Sequence, residues 1–270
     1  MLLHTRRERT LVVCDLHIGW ERVLIQKGVH IPSQTPKIKK MLLELIKNYR
    51  PLNLIVLGDV KDAIAKVSVE EWKDVPEFFE TMQNKVANIQ VVMGNHDGTL
   101  EPLLPERVEI IPSTGIRVGD VGLFHGHAWP APELLECKSI VTGHVHPTIT
   151  IRDPMGLKIT RQVFVKAKCN PEKLAKAYLK YSGIKTKNDA LKVLKERFNV
   201  KLKTSTLFIM PSFNQFLGGQ PINERDQSKI RNRKFIGPIL RSGCVEIDEA
   251  EVYLLDGTFM GKIGQLKSLN

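Results

Sequence analysis

"NLIVLGDVKD", residues 53–62, decides the fold: an apolar run closes on Gly58 and then meets two carboxylates, Asp59 and Asp62. A short apolar run stopped by glycine reads as a buried strand. The same grammar recurs on either side. "TLVVC" (10–14) runs into Asp15, Leu16 and His17, and "IQVVMG" (89–94) runs into Asn95, His96 and Asp97. Between the three runs, "KIKKMLLELIKNY" (37–49) and "VPEFFETMQNKVA" (75–87) carry apolar residues at helical spacing. Strand, helix, strand, helix, strand is an α/β arrangement with parallel strands. In such sheets ligands gather outside the carboxyl ends of the strands, which is where these polar residues fall.

Two further runs end the same way. "VGLF" (121–124) leads into His125-Gly-His127, and "SIVT" (139–142) leads into His144-Val-His146. Six of the eight histidines therefore follow strand-like runs, leaving His4 and His30 elsewhere. Core histidines would be scattered; these are placed as metal ligands are. If the backbone stays extended beyond Gly143, His144 and His146 point to one side, because residues i and i+2 share a face of a strand. An isolated H-x-H is otherwise as well explained by a surface loop.

Beyond residue 147 the pattern changes to hairpins. "TITIRDPMGLKITRQVFV" (148–165) turns at 153–156, and "VYLLDGTFMGKIG" (252–264) turns at Asp256-Gly257. Between them "NPEKLAKAYLKYSG" (170–183) predicts a helix capped by Asn170 with Pro171 first and Gly183 as its stop. "TKNDALKVLKERF" (186–198) predicts a second, opened by a Thr186 to Asp189 capping box, and "TLFIM" (206–210) a strand after it.

Composition fits a globular chain: 270 residues, 42% hydrophobic and 26% charged. No apolar run is long enough for a membrane span, and the start, "MLLHTRRERT", turns basic at once, so a cytoplasmic protein with no membrane partner is expected. Cys14, Cys137, Cys169 and Cys244 form no C-x-x-C pair and read as small buried thiols rather than a disulfide or zinc-thiolate framework. The net charge of +11 is concentrated. Residues 166–203 hold twelve Lys or Arg against three acids, leaving +2 for the rest, and a smaller basic cluster stands at Lys229, Arg231, Arg233 and Lys234. This suits either a polyanionic partner or simply solvated helix faces.

The ordered series D-x-H (15–17), G-D-x-x-D (58–62), G-N-H-D (94–97), H-G-H (125–127) and G-H-x-H (143–146) resembles the calcineurin-like metallophosphoesterases. The resemblance implies an α/β sandwich of two central β-sheets flanked by helices, as one domain over 1–270 with 166–204 as a small basic helical insertion. It implies two divalent ions: Asp15, His17 and His146 on one, Asn95, His125 and His144 on the other, and Asp59 bridging both. His96 would meet the leaving oxygen, oriented by Asp62 as the second member of a catalytic dyad. Asp97 reads as a turn or cap residue, and His127 as a neighbour of the ligands or a surface residue. Oxygen and imidazole donors without thiolate suit Mn²⁺, with Fe²⁺, Ni²⁺ and Zn²⁺ also compatible. Two such ions answer the needs of phosphoryl transfer, which wants an activated water and a stabilised leaving oxygen.

The flanks narrow the resemblance. "LVVCDLHIGWERVLIQKGVHIPSQT" (11–35), "LIVLGDVKDA" (54–63) and "MPSFNQFLGGQPIN" (210–223) are similar to the ICC-type phosphoesterases, a group with ligase-associated DNA-damage-response endonucleases and archaeal relatives linked to a helicase. What this implies is a Mn²⁺-dependent phosphodiesterase acting on nucleic acid, single-stranded DNA above all, in DNA repair and with a helicase or other repair protein as partner. A small-molecule phosphoesterase for nucleotides or cyclic nucleotides would use the same metal shell, and a non-catalytic scaffold would be expected to lose ligands. Gly218-Gly219 reads either as a backbone approach to phosphate or as a plain tight turn.

Overall fold

A computed structural model describes residues 1–5, 8–153, 155–187, 189–224 and 237–269. The basic cluster at Lys229 to Lys234 lies outside them. The chain divides into two compact units: Met1–Ser113 with Ser212–Leu217, and Thr114–Pro211 with Gly218–Asn270. No described helix is long and apolar enough to cross a membrane.

The first unit is built on a five-stranded sheet, in spatial order β1 (Leu2–His4), β2 (Arg9–Cys14), β3 (Asn53–Leu57), β4 (Asn88–Val92) and β5 (Val108–Ile111). β2 to β5 run parallel in register, with Val12 opposite Ile55 and Ile55 opposite Gln90; β1 alone is antiparallel. The central strands are buried along nearly their whole length, as a parallel sheet covered by helices requires. A short helix, α1 (Glu21–Ile25), follows β2; α2 (Thr35–Tyr49) buries Ile38, Leu42 and Ile46 on one stripe, and α3 (Val69–Gln83) buries Val75, Phe78, Phe79 and Met82. Fully burying each such side chain contributes about 2 kcal/mol. α3 starts six residues earlier than the apolar pattern suggests. Ser68 and Glu71 close a capping box that fixes the start, and Pro76 lies inside the helix.

The second unit holds a seven-stranded sheet ordered β15 (Phe259–Lys262), β14 (Glu251–Tyr253), β11 (Phe164–Lys168), β12 (Thr206–Ile209), β8 (Ser139–Thr142), β7 (Val121–Leu123) and β6 (Ile116–Val118). β7, β8 and β12 are mutually parallel, so β7 and β8 present their carboxyl ends together. The two hairpins expected from their turns are present as β9 (Pro147–Arg152) with β10 (Lys158–Gln162), and β14 with β15. β9 and β10 form a separate small sheet with β13 (Gln220–Pro221). Each unit thus has the mixed sheet expected of the family's α/β fold.

The basic stretch connects the antiparallel neighbours β11 and β12 and carries helices α4 (Pro171–Tyr181) and α5 (Ala190–Phe198). Asn170 caps α4 as its sequence predicts, and Gly183 follows with φ 76°. At α5 the cap is Asp189, accepting from the backbone of Leu191 and Lys192, rather than Thr186. A carboxylate that takes two amide protons at the helix start outcompetes a hydroxyl one turn away. Leu174, Ala175, Tyr178, Leu179, Ala190 and Leu194 belong to the core of the second unit, while Lys173, Lys176, Lys180, Lys192 and Lys195 are exposed.

Candidate metal centre

The expected ligands gather at strand ends through an unusual backbone. Seven described non-glycine residues have positive φ. Arg50 and Asn199 end α2 and α5; the other five are Asp15 (55°), His17 (44°), Asp59 (50°), His144 (67°) and His146 (47°). A left-handed conformation costs an L-residue about 1–2 kcal/mol, and such strain persists at sites that use it. The two histidines of "GHVH" are therefore not placed by strand alternation. β8 ends at Thr142, and the chain curls through left-handed turns that aim alternate side chains, just as it does at Asp15 and His17 after β2.

In the first unit Asp15, His17 and Asp59 are all buried. His17 Nδ1 lies 3.1 Å from Asp62 Oδ1, and its Nε2 lies 3.6 Å from Asp59 Oδ2. Burial lowers the pKa of His17, but the Asp62 hydrogen bond and the charges of Asp59, Asp15 and Asp62 outweigh it, leaving the imidazole above its ordinary value. A field that holds a proton on an imidazole also attracts a metal cation. One donor atom each from His17, Asp59 and His96 falls within 4.8 Å of the others. The backbone N–H of His96 donates to Asp59 Oδ1 at 2.9 Å, and the His96 ring stands edge-on to His17 with centroids 4.8 Å apart. His96 Nδ1 meets the backbone carbonyl of Asp62, whereas the Asp62 carboxylate reaches His17. The expected pairing of Asp62 with His96 thus runs through the main chain. Asn95 begins the turn after Gly94 and is exposed.

Buried polar residues outside the expected set hold these loops. Asp97 caps the turn, as read from the sequence, and also accepts from the N–H of Gly94 and of Val60, both at 2.9 Å, tying the β4 loop to the residue after Asp59. A methyl group at Gly94 would fall on the backbone nitrogen and carboxylate of Asp59, so only glycine fits. Glu71 of the α3 capping box accepts from Asp62 N (3.0 Å), Ala63 N (2.8 Å) and Ser68 N (2.7 Å). Ser212 Oγ donates to the carbonyl of Asp15 at 2.7 Å, and Asn214 Nδ2 to that of Leu16 at 3.0 Å. The S-x-x-E of "SVEE" and the polar residues inside "MPSFNQF" were the sequence signals for them.

In the second unit His125 is buried and His144 and His146 are half-buried. The rings of His125 and His144 stand 4.9 Å apart. His127 lies with its Nδ1 2.9 Å from His125 Nδ1, orienting that ring, which places it as a neighbour of an expected ligand. Thr142 Oγ1 donates to the carbonyl of His125 at 2.6 Å, and Gly126 (φ 116°) sits where any side chain would strike that hydroxyl. At Gly219 the backbone passes close to the carbonyl of His146 and the side chain of Thr148, where a side chain would collide. All four cysteines are buried.

The donor set fits divalent ions. With Nδ1 of His17 against Asp62 and Nδ1 of His125 against His127, Nε2 of each ring is the atom that would face an ion, an arrangement in which an outer carboxylate or imidazole orients the ring.

The sequence model of the calcineurin-like phosphoesterase family matches residues 8–202. A search of curated proteins gives no match. Among solved structures, the nuclease MPE of Pseudomonas putida aligns over 94% of this chain and 96% of its own, with 16% identity and a TM-score of 0.51. The phosphoesterase YfcE of E. coli covers 55% of this chain and 75% of its own at 19% identity and a TM-score of 0.34. A protein of unknown function from Aquifex aeolicus, AQ665, covers 51% and 78% at 21% identity and 0.35.

Proposed function

The chain belongs to the calcineurin-like phosphoesterase family, and from that premise we propose that it hydrolyses phosphodiester bonds of nucleic acid, with single-stranded DNA as the foremost substrate. The residues that would hold the divalent ions are Asp15, His17, Asp59, Asn95, His125, His144 and His146. Carboxylate, amide and imidazole donors without thiolate favour Mn²⁺. When bound, two such ions supply positive charge to the phosphoryl oxygens and make water a nucleophile near neutral pH.

The residues of the chain then divide the remaining work. Asp62 accepts from His17 Nδ1, so the ligand atom is Nε2. With His96 Nδ1 against the carbonyl of Asp62, the proton on that nitrogen is held there, and Nε2 is the atom that can pass a proton to the leaving oxygen. Asp62 is a positioning residue for both rings.

The observation that carries nucleic acid over a small nucleotide is the exposed lysine face of α4 and α5: Lys173, Lys176, Lys180, Lys192 and Lys195. A small ester has no use for so many cations; a polymer of phosphates does. Nuclease MPE is a nuclease on the same fold. The ICC-type resemblance adds a repair setting, with a helicase or other repair protein as partner. The test is incubation with circular single-stranded DNA and Mn²⁺, with chelator as control. A circle offers no end, so chelator-sensitive linearisation is the expected result and establishes an endonuclease. Intact circles with turnover of a small chromogenic diester would put the nucleotide phosphoesterase first.

A further inference from the structure

Away from the two ligand clusters, the second unit carries a groove of about 630 Å³ whose lining includes Trp129, Lys173, Lys176, Lys180, Tyr181 and Arg241. Its aromatic wall is built in layers. Trp129 is half-buried and stands edge-on to the buried Tyr178, with centroids 5.5 Å apart at 88°. Tyr181 stacks on Trp129 at 5.5 Å and 27° and is 61% exposed. A half-buried indole thus backs an exposed phenol, which offers an aromatic surface for stacking. Beside it, Lys173, Lys176 and Lys180 follow one another at helical spacing along α4, with Arg241 across the groove. Lys176 holds Glu172 at 2.7 Å in an exposed pair, which is worth little and readily exchanged. Among the described residues Lys173 and Lys180 have no ion-pair partner.

We propose that this groove binds a single-stranded segment of nucleic acid, one base stacking on Tyr181 and the flanking phosphates lying along Lys173, Lys176, Lys180 and Arg241. The choice of polymer rests on the proposed function; the site rests on the groove. An acidic peptide would satisfy the lysines and leave the aromatic face unused. A duplex would satisfy them too, but its bases are already stacked on each other. A single strand supplies both a phosphate chain and an open π face.

The experiment is fluorescence anisotropy of a short labelled oligothymidylate with the full chain in chelator, so that cleavage is off. Tyr181→Ala weakens binding about tenfold at every salt concentration, the scale of one lost base stack. Tyr181→Phe keeps the ring and therefore the affinity, which separates stacking from misfolding. Lys173→Gln with Lys180→Gln flattens the slope of log affinity against log salt by about 1.4. Equal affinity for the Tyr181→Ala variant and the wild type, an unchanged slope in the lysine variant, or competition by polyglutamate as strong as by oligonucleotide would each overturn the proposal. Failure of the nuclease reading looks different: a chain that binds through Tyr181 but leaves circular DNA intact keeps the groove and loses the nuclease, whereas cutting with groove variants that bind like wild type does the reverse.

Discussion

The two units bring ligands to strand ends by the same left-handed turns, yet they secure them differently. In the first, carboxylates do the holding: the buried Asp97 takes two backbone N–H groups, the buried Glu71 takes three, and the half-buried Asp62 takes the ring of His17. In the second, a hydroxyl and a ring hold His125: Thr142 Oγ1 donates to its carbonyl and His127 lies against its ring. The first half thus sets carboxylates around His17, and the second sets imidazoles against one another.

The largest expected effect is Asp59→Asn. Replacing one oxygen by an amide removes charge from the acidic half and a donor from the pair, so turnover should fall to the level of the chelated protein while circular dichroism stays that of the wild type. Normal turnover would remove Asp59 from its role. Next comes His96→Ala, which should slow turnover roughly a hundredfold or more, the scale of a lost general acid or base. Asp62→Ala should act differently because its carboxylate meets a ligand. It should weaken metal affinity by about 10–100-fold, as loss of an outer partner does, which a metal titration of activity would read.

The stability of the two halves can be set against each other directly. Asp97→Ala leaves the N–H groups of Gly94 and Val60 without their acceptor, at about 1–3 kcal/mol each, whereas Thr142→Val removes one neutral hydrogen bond worth about 1 kcal/mol. Urea unfolding should rank them in that order; equal losses would erase the distinction between the halves. The smallest effect belongs to the basic face. Replacing three or four of Lys173, Lys176, Lys180, Lys192 and Lys195 by Gln should flatten the salt dependence of oligonucleotide binding by roughly two to three units. An unchanged slope would mean that the lysines only solvate two helices.

Much of this was legible in the sequence because each strand announces itself twice, by an apolar run and by the polar residues that stop it. β2, β3, β4, β7 and β8 all lie where such runs stand. Strand alternation is not what places His144 and His146. Alternation along a strand needs the strand to continue, and β8 stops at Thr142, so left-handed turns place the rings instead. No periodicity encodes a run of positive φ at non-glycine residues. The holding residues were harder still. Ser212 and Asn214 act on a loop about two hundred positions earlier, a contact that only tertiary structure creates. Glu71 was within reach, since Ser68 and Glu71 spell a capping box, but the apolar pattern drew the helix start toward Pro76.

Residues that hold metal and residues that do chemistry differ in what their loss does to the ions. Counting bound Mn²⁺ by mass spectrometry of the purified, metal-loaded wild type, His96→Ala and Asp59→Asn proteins tests this without reference to any substrate. The expected result is two ions per chain in the wild type and in His96→Ala, and fewer in Asp59→Asn. A His96→Ala protein that loses an ion, or an Asp59→Asn protein that keeps both, would contradict it.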